Sequence, residues 1–215
     1  MRFLTSFLFA QQVAAHGYIS IPQAQFKDGS TKTKYNSLVD ESIDSAFAGL
    51  KWNDSPDNNL ITFTNAFKKT KFTSLKDMFD LAKVDCGNSR IDIAPIDVSN
   101  MNSMSWQNDE YKEGFIKSHS GPCEVWLDGK MVSQNDDCRS KYSNYPAVIP
   151  IDYSSCQGEC LLEFFWCAVH EKNWQLYKQC VPIVNSNSSK SPPASNNIVE
   201  YSIKVSNGNC ECSIV

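Results

Sequence analysis

Only three histidines occur in the 215 residues: His16, His119 and His170. The first directly follows Val13, Ala14 and Ala15, a small-residue run of the kind that secretory signal peptidase cuts after. Cleavage there makes His16 the first residue. A terminal histidine carries a free amine and an imidazole on one residue, so it can chelate a metal ion through its α-nitrogen and Nδ1. No internal histidine can do this. The reference pKa of an α-amino group, about 7.7 to 8.0, lets a metal displace its proton near neutral pH.

His119 lies in Ser118-His119-Ser120-Gly121-Pro122, a loop composition that lets an imidazole point out of the chain. His170 ends an apolar run, and Gln175 and Tyr177 follow it two residues apart, hence on one face of an extended segment. The terminal amine, His16 Nδ1 and a His119 nitrogen make three neutral nitrogen donors, a set that suits the tetragonal preference of Cu(II). Zinc is served less well, since a catalytic zinc site takes three side-chain ligands and few histidines are available. Tyr177 fits a weak axial position as a neutral phenol, which leaves an equatorial position open to oxygen.

Taken in order, Ala14-Ala15-His16-Gly17-Tyr18, His119-Ser120-Gly121-Pro122, and His170 with Gln175-Leu176-Tyr177-Lys178-Gln179-Cys180 resemble the copper site of lytic polysaccharide monooxygenases. The spacing and the Cys180-Val181-Pro182-Ile183 ending are most similar to auxiliary activity family seventeen, the pectin-active group. The resemblance covers residues 1 to about 184. It implies a histidine brace of His16 and His119 around one copper ion cycling between Cu(II) and Cu(I), with Tyr177 axial. It further implies His170 and Gln175 as second-sphere groups that orient and protonate the oxygen species. The co-substrate is then O2 or H2O2, and the electrons come from an external donor. It also implies a Cys86–Cys180 disulfide tying the axial-ligand segment to the body.

The elements that must position these residues can be read from pattern. Residues 1–15 form the expected signal peptide, with Arg2 at its start and Phe3 to Ala10 as its apolar middle. Residues 16–184 form the expected catalytic domain. Up to about residue 110 they are rich in turn formers, Ser55-Pro56 among them, and read as short strands and long loops. Ser74 to Lys83 is the helix candidate, capped by Ser74 and presenting Leu75, Met78, Phe79 and Ala82 on one face. Cys123, Val125 and Leu127 alternate with polar or amphipathic neighbours, and Asp128-Gly129 predicts a hairpin turn into Lys130-Met131-Val132. Leu161 to Val169 reads as a central strand buried on both faces, with another strand near Trp174 to Val184. Trp126, Phe164, Phe165 and Trp166 belong to the core. Residues 185–197, almost without apolar content, read as a flexible linker. Residues 198–215 form a tail in which Val199, Tyr201, Ile203 and Val205 predict an edge strand and Cys210 and Cys212 a tether.

Many short strands, few helices and a disulfide framework predict an all-β chain. The expected type is an immunoglobulin- or fibronectin-III-like sandwich with long loops and one or two short helices. A jelly roll is the competing topology. Nine cysteines are too many for a reducing cytosol, and their odd number leaves one thiol outside intramolecular pairs. Secretion follows, supported by sequons at Asn53, which Pro56 disfavours, and at Asn187.

A formal charge of −4, or −5 once Arg2 is lost, argues against nucleic acid as a partner. The one long apolar stretch is far shorter than a membrane span, so a soluble monomer is expected. A polyanion such as homogalacturonan then needs local positive charge, for which Lys27, Lys32, Lys34, Lys112, Lys117 and Lys172 flank the proposed ligands. Cellulose or chitin would instead need a flat aromatic surface, for which Tyr18, Tyr35, Trp52 and Trp106 are available. Two other functions compete with an oxidase: a copper carrier or storage protein built on the same brace, and a metal-free disulfide-rich lectin or effector. Gln175 beside Tyr177 favours the enzyme, because a carrier needs no group poised on the oxygen side.

Overall fold

The computed structural model describes residues 17–188, 201–206 and 209–214. Two mainly antiparallel sheets pack against each other. The smaller has three strands in the order β1 (Tyr18–Ile21), β4 (Ser103–Gln107), β7 (Ala147–Pro150). The larger runs β2 (Ser37–Val39), β9 (Trp174–Asn185), β8 (Gly158–Ala168), β5 (Cys123–Leu127), β6 (Lys130–Asn135), and the two-residue β3 (Ile96–Asp97) joins the far end of β9 in parallel.

The long strand β8 shows why the large sheet is covered on both sides. Its residues alternate across the sheet. Leu162, Phe164, Trp166 and Ala168 enter the core between the two sheets, where they meet Ile19, Met104, Trp106 and Ile149. Phe165 and Cys167, with Val169 just beyond the strand, enter a second core against the helices. An apolar run without polar alternation is what such a strand requires.

The predicted hairpin is present, and Asp128 and Gly129 both take positive φ, the backbone its two-residue turn needs. The predicted helix is α2 (Leu75–Leu81), capped by Ser74 with Asp77 completing a capping box. Its first two amides, on Leu75 and Lys76, also donate to the buried Glu124 carboxylate of β5, at 2.7 and 3.2 Å.

Helix content exceeds the expectation. A twelve-residue helix, α1 (Pro56–Phe67), occupies ground read above as strand and loop, and α3 (Cys138–Lys141) adds one turn. Ser55-Pro56 opens α1 rather than turning the chain. Ser55 Oγ accepts the Asn58 amide, and Pro56 stands in the first turn, where its missing N–H leaves nothing unpaired. Phe63 and Ala66 then reach the second core.

Disulfides join Cys86 to Cys180, the pairing expected above, Cys123 to Cys138, and Cys156 to Cys160. Cys167 is a free thiol, fully buried on β8. The strand expected in the tail is β10 (Tyr201–Ser206), whose partner is the following β11 (Asn209–Ile214). The expected signal segment, His16 and most of the expected linker lie outside the described residues. No helix among the described residues is long and apolar enough to cross a membrane.

Candidate functional site

His119 is held by a loop that is sewn to the end of β8. The Val169 amide donates to the Ser120 carbonyl at 2.9 Å and the Cys167 amide to the Pro122 carbonyl at 3.0 Å. Between these bonds the two backbones touch at Gly121, where any Cβ would collide with the Cys167 carbonyl. Only glycine permits that approach. On the other side Cys138 donates to the Gly121 carbonyl at 3.1 Å, and the Cys123–Cys138 disulfide locks α3 against the same loop. A second anchor is Arg139, which donates to the Lys117 carbonyl at 2.7 Å and pairs at 2.6 Å with Asp57 of α1. Asp57 in turn accepts the Ser120 hydroxyl at 3.3 Å, so both flanks of His119 are fixed.

This anchoring lays the His119 ring on that of His170, with centroids 3.7 Å apart and planes 27° from parallel. His119 is 6% exposed, and its Nδ1 meets Ser118 Oγ at 2.8 Å. His170 caps the end of the β8 segment. Its carbonyl accepts from Asn59 Nδ2 at 3.0 Å, and the fully buried Asn59 also donates to Trp52, so α1 fastens this turn. Burial lowers the His170 pKa, and the Glu171 carboxylate 3.8 Å from Nε2 only partly opposes this. The imidazole is therefore neutral near pH 7. Its Nδ1 is buried with no hydrogen-bond partner.

Gln175 and Tyr177 do share a face of β9. Register places Gln175 opposite Ala168 and Tyr177 opposite Trp166. The Tyr177 ring stacks on Trp166 at 4.6 Å, and Trp166 lies 6.3 Å from the His119 ring. The indole thus joins the two halves of the cluster. The Tyr177 hydroxyl donates to Gln175 Oε1, and burial above all raises its pKa far beyond that of an ordinary phenol. It is a neutral donor at any physiological pH.

One residue of this cluster stands in the sequence motif without an assigned role. Gln179, 5% exposed, is the next same-face position after Gln175 and Tyr177, and that period of two was its only signal. Its Oε1 accepts the Ile19 amide at 2.9 Å, and its Nε2 donates to the Gly17 and Lys32 carbonyls at 3.2 and 3.0 Å. It thereby ties the start of the described chain to β9 beside Tyr177. Gly17 abuts the Trp106 indole so closely that a Cβ would overlap it, and Trp106 itself meets Trp166 and Tyr177.

Four expected site residues, His119, His170, Gln175 and Tyr177, therefore gather at one end of the β8–β9 pair. His16, the fifth, lies outside the described residues. The neutral His170 imidazole with its unpartnered buried nitrogen, the neutral Tyr177 phenol and the adjoining His119 ring fit a borderline-soft cation such as copper.

The surroundings answer the question of an aromatic platform, which the sequence left open: the residues available for one do not form it. Trp106 is fully buried, Trp52 is 4% and Tyr18 8% exposed, and Tyr35 is half-buried. Among the described residues, Tyr111 and Tyr145 are the exposed tyrosines instead. Among the lysines, Lys32 and Lys112 meet one polar hub. Asp109 accepts from Tyr18 at 2.8 Å, Gln107 at 2.6 Å, Tyr145 at 3.0 Å and Lys32 at 3.2 Å, while Lys112 lies over the Tyr145 ring. The Tyr18 hydroxyl first, then Gln107, holds the Asp109 carboxyl well below the usual carboxylate range. Lys27 faces a separate cleft of about 610 Å³ with Arg90. Lys117 extends into solvent.

Comparison with models of protein families and with curated proteins finds no match.

Proposed function

We propose that this protein is a secreted, copper-dependent lytic polysaccharide monooxygenase that cleaves glycosidic bonds of plant-wall polysaccharide, with pectin its substrate class. The sandwich is then of the immunoglobulin or fibronectin-III type. One observation carries the reading: His119, from a separate loop, meets the neighbouring His170, Gln175 and Tyr177 at a single end of β8 and β9. Gly17, the sequence neighbour of His16, also lies there, beside Trp106.

His16, His119 and Tyr177 would be the residues that hold the ion. Bound copper supplies one-electron reduction and the activation of O2 or H2O2 for hydrogen abstraction beside a glycosidic bond. The remaining work belongs to the protein's own groups. Tyr177 keeps its proton and commits it to Gln175, so the phenol oxygen stays a weak donor rather than a phenolate. That hydrogen bond also fixes the Gln175 amide, leaving its N–H groups as oriented donors. His170, neutral and with a spare nitrogen, can accept or return a proton at Nδ1. Trp166 and Trp106 close the floor against water, and Gln179 holds the incoming N-terminal strand. Lys112, over the Tyr145 ring, offers local positive charge to a polyuronate despite the net negative charge, whereas the charge of Lys32 is paired with Asp109.

The test uses secreted protein whose mass shows a chain starting at His16. It is loaded with copper, given an electron donor and incubated with homogalacturonan, cellulose and chitin. Oxidised oligosaccharides from homogalacturonan in the mass spectrum support the reading. Tight copper binding without oxidised products from any polymer makes the protein a carrier, and no copper binding sinks the brace itself.

A further inference from the structure

At the other end of β9 the chain leaves the sheet through a turn that holds Asn187 and Ser188, where the sequence reads Asn187-Ser188-Ser189, a sequon. From Gln175 to Asn185 the strand advances ten residues, roughly 33 Å at about 3.3 Å per residue, so this turn is remote from the histidine pair. Asn187 is exposed, and its backbone is held by Asn185 Oδ1 at 3.2 Å. Its side-chain amide donates one hydrogen, to the Ser99 carbonyl at 3.0 Å. An amide nitrogen carries two hydrogens, so one can be replaced without breaking that bond.

Asn187 stands on the rim of a groove of about 550 Å³. Val98, Met101, Ile151 and Tyr153 give it an apolar floor, and Pro150 is exposed along it. Ser99, Asn102 and Asp152 add polar groups at its edge. A shallow apolar strip bordered by hydrogen-bonding groups matches the first sugars of an N-glycan, whose C–H faces are apolar and whose hydroxyl and acetamido groups are polar. The second sequon differs. In Asn53-Asp54-Ser55-Pro56 the hydroxyl residue is the N-cap of α1, and proline follows it directly.

We propose that Asn187 is an N-glycosylation site and that the first N-acetylglucosamine of its glycan lies in this groove, an inference that rests on the secretory part of the reading above. The donor is a lipid-diphosphate-linked oligosaccharide. Its C1–O bond to the diphosphate breaks, a C1–Nδ2 bond forms, and the amide gives up one proton as the lipid diphosphate leaves. Because the site is at the far end of β9, the glycan leaves the polymer-facing end clear.

The chain is produced in a eukaryotic secretion host, and wild type is compared with Asn187→Gln and Asn53→Gln. The expected result is one glycan lost in Asn187→Gln and retained in Asn53→Gln, with enzymatic release converting Asn187 to aspartate in the peptide map. Contact with the groove predicts nuclear Overhauser effects between the first acetamido methyl and the Met101 methyl, and a Tm lower by about 2–4 °C after glycan release. A glycan on Asn187 with neither effect overturns the seating in the groove. Secreted protein that starts at His16 and binds copper but carries unmodified Asn187 overturns the site and leaves the copper reading intact. Glycosylated protein that binds no copper does the opposite.

Discussion

His119 and Gln175 separate ligation from chemistry. His119→Ala removes the only proposed ligand nitrogen besides those of His16, so tight copper binding should be lost, as seen by titration calorimetry and electron paramagnetic resonance. Gln175→Ala should keep copper bound and slow turnover by about 10- to 100-fold, the usual effect of removing a group that orients a metal site. Equal copper loss in both variants would mean that Gln175 acts through folding alone. His170 makes a pH prediction. Its folded pKa lies below the reference value of 6.5 because burial opposes the charge. Its contribution to stability is thus present above the unfolded pKa and lost as pH falls through the folded one. Urea midpoints of wild type should drop on acidification through this range, and His170→Gln should flatten that part of the curve.

The elements explain why those side chains meet. Strands β8 and β9 bring Trp166 against Tyr177 by register, and the loop holding His119 is sewn to the end of β8 through Ser120 and Pro122. Gly121 is the tightest point of that seam. Gly121→Ala should cost about 1–3 kcal/mol, as overpacking does, because the opposing atom is a backbone carbonyl that cannot swing away. Chemical denaturation measures the loss, and copper affinity should fall with it as His119 shifts. Helix α2 is joined to the large sheet in a similarly specific way. Glu124→Gln puts an amide donor where the carboxylate accepts the Leu75 and Lys76 amides and Trp126 Nε1, and should cost about 1–3 kcal/mol in thermal unfolding. The strands, the Asp128-Gly129 turn and α2 were legible because their signals are local: period two, a turn dipeptide and a capping serine. Helix α1 was misread because Ser55-Pro56 fits a turn and a helix start equally well until Phe63 and Ala66 are seen to be buried.

Across the whole molecule, the Cys86–Cys180 bond spans 94 residues and ties the loop after α2 to the strand carrying Gln175 and Tyr177. Closing so long a loop restricts the unfolded chain, so the double variant Cys86→Ser/Cys180→Ser should lose about 4 kcal/mol. The corresponding fall in Tm, measured by calorimetry, is about 8–16 °C for a chain of this size. The linear order of residues supplies the inventory: three histidines, a same-face Gln175 and Tyr177, the strand and turn pattern, and nine cysteines. Each depends on residue type or on short-range spacing, which backbone geometry converts directly into a face or a turn. Only the tertiary structure decided that the His119 and His170 rings stack, that Trp166 lies between His119 and Tyr177, that Gln179 clamps the strand after Gly17, and that Trp52 and Trp106 are interior rather than a sugar-binding surface. These are contacts between residues up to 162 apart in the chain, set by register and by packing in two cores. No local pattern encodes which buried face a distant side chain will meet.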